Sequence, residues 1–112
     1  MMHITIDGME AVVKTMSPDY QISKMEDGEK FTAATIYQAE EINKDGNPIT
    51  VTTFISPDGI AYQTCSAFVA KLVDAIDKAG RKCEDWVENP IEFTVKWVKT
   101  NSGKKMLQLT VK

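Results

Sequence analysis

From residue 31 to residue 111 the hydrophobic period of this chain is two, switches once to spacings of three and four, and returns to two. A period of two puts alternate side chains on opposite faces of a strand, whereas three-and-four spacing draws one apolar stripe along a helix. The order is therefore three strands, one helix and two strands. Residues 31–42, rich in Thr, Ile, Tyr and Phe, make the first strand and run into Asn43-Lys44-Asp45-Gly46-Asn47-Pro48, whose Asp-Gly is a tight-turn signal. Residues 49–55 alternate, with Ile49, Val51, Thr53 and Ile55 on one face and Thr50, Thr52 and Phe54 on the other, as in a half-buried strand. Ser56-Pro57-Asp58-Gly59 has the residues a type I turn prefers, and residues 60–65 follow as the hairpin partner.

Phe68, Val69, Leu72, Val73, Ile76 and Ala79 then share one helical face, opposite Lys71, Asp74, Asp77 and Lys78, which predicts an amphipathic helix over residues 66–79. Ser66 or Thr64 can cap its start, and Gly80 can end it in the left-handed conformation. Residues 81–90 read as a loop. Ile91, Phe93, Val95 and Trp97 alternate with Glu92, Thr94 and Lys96 as a fourth strand, and Leu107, Leu109 and Val111 alternate with Met106, Gln108 and Thr110 as a fifth, joined by Thr100-Asn101-Ser102-Gly103. The first 30 residues say less. Residues 3–6 read as a short strand before Asp7-Gly8, and residues 10–16 as one or two helical turns that Ser17-Pro18-Asp19 stops.

This order is that of a mainly β, five-stranded OB-type barrel, with the helix between strands 3 and 4 plugging one end. An SH3-like barrel lacks the helix, and a ferredoxin-like fold needs two. At 112 residues, 43% of them hydrophobic, the chain makes one domain, with residues 1–28 as an N-terminal extension. Its apolar runs fall far short of the ~20 residues of a membrane span, and it opens without a basic stretch followed by an apolar one. The expected location is the cytoplasm. Two cysteines, Cys65 and Cys83, and one histidine, His3, cannot supply the four ligands of a structural zinc site, so reduced thiols and no cofactor are expected.

Catalysis finds no support. Glu26-Asp27 and Glu40-Glu41 are neighbours, which a strand points to opposite faces, so neither pair can share a proton or a metal. No Ser/His/Asp set forms away from His3, and no Gly-rich phosphate loop is present. The net charge of −3 disfavours a polyanion partner, because affinity for nucleic acid comes largely from Lys and Arg displacing counterions. Its distribution reverses that. Residues 1–80 carry 12 acidic and 6 basic side chains, residues 81–112 carry 4 acidic and 7 basic, and residues 95–112 hold five lysines with no acid.

An OB barrel binds oligonucleotides across its second and third strands, between the first-to-second and fourth-to-fifth loops. Here those loops hold Lys44 and then Lys99, Lys104 and Lys105, with Lys96 on the strand before. Bases also need aromatic faces. Phe54 lies on the Thr50/Thr52 face, where it either stacks on bases or is buried under a loop, and Tyr62 and Tyr37 on the adjoining strands are the next candidates. Trp97 continues the Ile91/Phe93/Val95 face and reads as core, and Trp86 as a seal on the barrel end.

The segments Thr53-Phe54-Ile55-Ser56-Pro57-Asp58-Gly59-Ile60-Ala61-Tyr62, Trp86-Val87-Glu88-Asn89-Pro90 and Ser102-Gly103-Lys104-Lys105-Met106-Leu107-Gln108-Leu109, in that order around a helix, carry a resemblance. The chain resembles the single-stranded DNA-binding proteins of small tailed phages with protein-primed replication and of related prophages. The likeness covers residues 20–112, and order and spacing carry it rather than any one motif. It implies a monomer or weak homo-oligomer that coats displaced strands without sequence preference during phage DNA replication, alongside phage replication proteins. The chain is less basic than that family. A rival reading makes it an OB-like phage module that occupies a host replication or defence factor, with the acidic segment over residues 26–41 as a nucleic-acid mimic.

Overall fold

The computed structural model describes Val13 and residues 16–111. The strand expected over residues 3–6 lies outside them, and of the expected helical turns Val13 and Met16 are described, both helical. Seven strands follow: β1 (Tyr20–Gln21), β2 (Lys30–Ala33), β3 (Thr35–Ile42), β4 (Pro48–Ile55), β5 (Ala61–Thr64), β6 (Ile91–Lys99) and β7 (Lys105–Val111), with helix α1 (Ala67–Lys78) between β5 and β6. The loop expected over residues 81–90 contains a 3-10 turn, Cys83–Val87. Cys83 N anchors it by donating to Asp77 Oδ1 at 3.0 Å, and the Trp86 indole N–H donates to the Arg81 carbonyl at 3.1 Å. Trp86 is fully buried, as a seal would be.

The strands form two sheets, a four-stranded one in the order β1-β5-β4-β3 and a three-stranded one in the order β2-β6-β7. The predicted first strand is present but serves both. β2 pairs with β6, the chain turns at Ala34, whose N–H donates to Ile55 O at 2.8 Å, and β3 then pairs with β4. Ala33 and Ala34 are both buried, and two methyl side chains let the sheets meet closely at that corner. Among the described residues the two sheets do not close into one barrel, and the strands number seven where five were expected. The edge of β5 away from β4 is taken by the parallel strand β1, in register Tyr20↔Tyr62 and Gln21↔Gln63, and among the described residues no ladder joins β5 to β7.

The core lies between the sheets. Phe31, Ile36, Phe54, Phe93, Val95, Leu107 and Leu109 meet Val69 and Val73 of the helix and Trp86 of the 3-10 turn in one cluster. The Ser66 side chain caps α1 by accepting from Val69 N at 3.3 Å, and Gly80, at φ +107°, turns the chain out of it. A β strand alternates, so the two faces of β4 are those expected, but the inward one is the reverse of the simple reading. Ile36, Phe54 and Tyr62 sit side by side across the sheet and point to the core. Val51, Thr53 and Ile55 of the other face are buried as well, so β4 is covered on both sides from residue 51 to 55. Gln38 Nε2 donates to Thr52 Oγ1 and Gln63 Nε2 to Thr53 Oγ1, both at 3.1 Å, which satisfies amides that would otherwise be costly to bury. Among the described residues no helix is long and apolar enough to cross a membrane.

Candidate nucleic-acid interface

The β6–β7 hairpin gathers most of the predicted cations. Its strands run in register from Phe93↔Val111 to Lys99↔Lys105 and close through a tight turn, with Gly103 N donating to Thr100 O and Thr100 N to Lys104 O. Gly103 sits at φ +83°, where a side chain would be strained. Lys96, Lys99, Lys104 and Lys105 are all exposed, and among the described residues none of them makes an ion pair. Lys99 and Lys105 stand directly opposite each other, an arrangement that costs stability because like charges face across the ladder. Lys96 is opposite Gln108, on the outward face of the sheet with Thr94 and Thr110.

The other candidates do not join them. Lys44 is exposed at the β3–β4 turn, which is held by Asn43 Oδ1 accepting from Asp45 N at 3.0 Å and Asn47 N at 2.9 Å. β6 runs antiparallel to β2, so this turn and the β6–β7 tip lie at opposite ends of the β2–β3 run. Phe54 must be corrected. It is fully buried against Phe31 and Phe93, with ring centroids at 5.4 and 5.0 Å, and offers no face to a base. Tyr37 is half-buried on the opposite face of that sheet, beside Thr53. Tyr62 is half-buried on the core side and stacks on Phe31 at 4.7 Å and 21°. Its burial, followed by the nearness of Tyr20, Asp19 and Asp58, raises the phenol above its ordinary pKa.

The residue that sequence reading missed is Tyr20. The residue is 52% exposed and its ring stacks on Tyr62 at 5.3 Å and 15°, so it forms the open end of a column that continues inward through Phe31 and Phe93. A two-residue strand paired 42 positions away leaves no local periodicity to read. Trp97 is partly buried against the core, as expected, and its indole N–H donates to Met25 O at 2.9 Å while its backbone N–H donates to Asp27 Oδ1 at 2.8 Å. Asp27 therefore ties the segment before β2 to β6, which gives that member of the acidic run a structural bond.

Cys65 and Cys83 are free thiols. Burial, then the Asp77 carboxylate, pushes Cys83 up to about 12, while partial burial and Glu41 raise exposed Cys65. A thiol reagent at pH 8 should therefore modify one cysteine per folded chain, Cys65, and reach Cys83 only on unfolding; peptide mapping of the labelled protein checks the assignment. Among the described residues no group of three or more His, Cys, Asp or Glu could hold a metal ion. Compared with family models, curated proteins and solved structures, the chain matches none.

Proposed function

We propose that the protein is an OB-type module that binds single-stranded DNA without sequence preference, and that its β6–β7 hairpin supplies the phosphate track. The order of elements supports the OB-type reading: a bent first strand shared by two sheets, a β3–β4–β5 meander, a helix between the third and fourth strands of the core, and a final hairpin. In this reading β1 occupies the edge that the last strand covers when such a barrel closes. The observation that carries the function is the cross-strand Lys99/Lys105 pair. Two lysines at directly opposed ladder positions, with Lys104 next in the chain and no acid nearby in the sequence, are a cost to folding that a phosphate backbone relieves. In this reading, which follows what the sequence resemblance implies, the protein protects displaced strands during phage DNA replication.

Trp97 lies two residues before Lys99 on the same strand face, so DNA along the hairpin passes near a partly buried indole. Oligo-dT should quench the intrinsic fluorescence at low salt, with Trp97 and Tyr20 responding and enclosed Trp86 silent. Unchanged emission at saturating oligonucleotide, together with no shift of labelled oligo-dT, would refute the proposal.

A further inference from the structure

Beside the exposed ring of Tyr20 runs a groove of about 430 Å³, lined by Asp19, Gln21, Lys24 and Glu29 among others. That volume is within the ordinary range for small-ligand pockets. We propose that this groove is a subsite for one nucleobase bearing an exocyclic amino group, with Tyr20 as its stacking wall; the inference rests on the single-strand-binding reading and departs from its indifference to sequence at this one base position, the phosphate track of the hairpin staying sequence-independent.

Three observations converge. The Tyr20 ring is held parallel to Tyr62, which is held parallel to Phe31, so its outward face is ordered before any ligand arrives. Little side-chain entropy remains to be lost when a base stacks there. The groove's carboxylates are also fixed: Asp19 Oδ2 accepts from Ala61 N at 2.8 Å, and Glu29 Oε1 from Glu26 N at 3.2 Å. Each keeps a second oxygen without a protein partner among the described residues.

Those oxygens accept hydrogen bonds and repel phosphate, so the edge of a base, rather than the backbone, belongs beside them. Cytosine offers its N4 amino group, the natural partner of Asp and Glu, where thymine offers a carbonyl oxygen. Lys24, exposed on the same groove, is the one cation among its described lining residues and would take the attached phosphate. The chain then leads toward the hairpin, because Met25 O bonds the Trp97 indole.

The test is a titration of the full chain with oligo-dC and oligo-dT of equal length at neutral pH and low salt. Oligo-dC should bind about fivefold or more tighter than oligo-dT. Tyr20→Ala should weaken both by about tenfold, and Tyr20→Phe, which keeps the ring, should bind like the native chain. A double Asp19→Asn, Glu29→Gln variant keeps an oxygen for each backbone N–H, and should erase the dC preference without weakening dT. Melting curves of each variant separate lost binding from lost fold. Equal affinity for dC and dT, with Tyr20→Ala binding as well as the native chain at an unchanged melting temperature, overturns the subsite and leaves the hairpin reading intact. Failure of the native chain to bind either oligonucleotide overturns both.

Discussion

Replacing Phe54 with Ala should destabilise the fold by about 3–5 kcal/mol, the usual cost of emptying a buried phenyl site. For a domain of 112 residues whose total stability is of the order of 5–15 kcal/mol, that removes a large share and lowers Tm by about 10 °C or more. The ring is fully buried and touches Phe31 and Phe93 in tilted geometry, so aromatic contacts are lost along with the buried area. Phe54→Leu, which refills most of the volume, should cost about 1–2 kcal/mol. Thermal melts followed by circular dichroism check both. An Ala variant that melts within a degree or two of the native chain but loses oligonucleotide binding would return Phe54 to the surface.

The Phe54 site also shows where strand periodicity stops being informative. Alternation correctly separated Thr50, Thr52 and Phe54 from Ile49, Val51, Thr53 and Ile55. Choosing the inner face assumed that one face of β4 meets water. From residue 51 to 55 both faces are buried, and Thr52 and Thr53 are carried inside by hydrogen bonds to Gln38 and Gln63, so polarity no longer marks the outside. The helix and its caps were legible because a cap, a period and a terminal glycine act within a few residues. The 3-10 turn around Trp86 was not, since Cys83 N on Asp77 and the indole on Arg81 are tertiary bonds.

The bend at Ala34 and the pairing of β1 with β5 belong to the same class. A continuous run of strand-forming residues does not reveal that one half joins each sheet, and Tyr20–Gln21 is too short to carry a period. The candidate site divides along this line. The hairpin lysines were legible as a local cluster, and the structure keeps Lys99, Lys104 and Lys105 together at the tip while Lys96 stands on the opposite face of the ladder. The aromatics depended on which rings three distant segments bring into contact, and there Tyr20 replaces Phe54.

Changing Lys99, Lys104 and Lys105 together to Gln should flatten the dependence of log affinity on log salt by about 2 units, since each phosphate contact on a single strand contributes a slope of about −0.7. Counterion release vanishes near 1 M salt, so at 0.1 M the same variant should bind roughly a hundredfold more weakly, and equally so for every sequence. Stability should move the other way. With Lys99 and Lys105 directly opposed, neutralising them removes a cross-strand repulsion, and Tm should hold or rise slightly. Weaker binding from an equally or more stable protein is the signature of charges kept for a ligand rather than for the fold. The acidic-mimic reading predicts the opposite pattern: a protein target lost when Glu26, Asp27 and Glu29 become amides, and kept when the lysines go. Asp27→Asn retains an oxygen for Trp97 N, so that arm tests charge with the β6 tie preserved. A triple-Gln variant that binds oligo-dT with an unchanged salt slope would take the hairpin out of the site and leave its paired lysines as a plain cost to the fold.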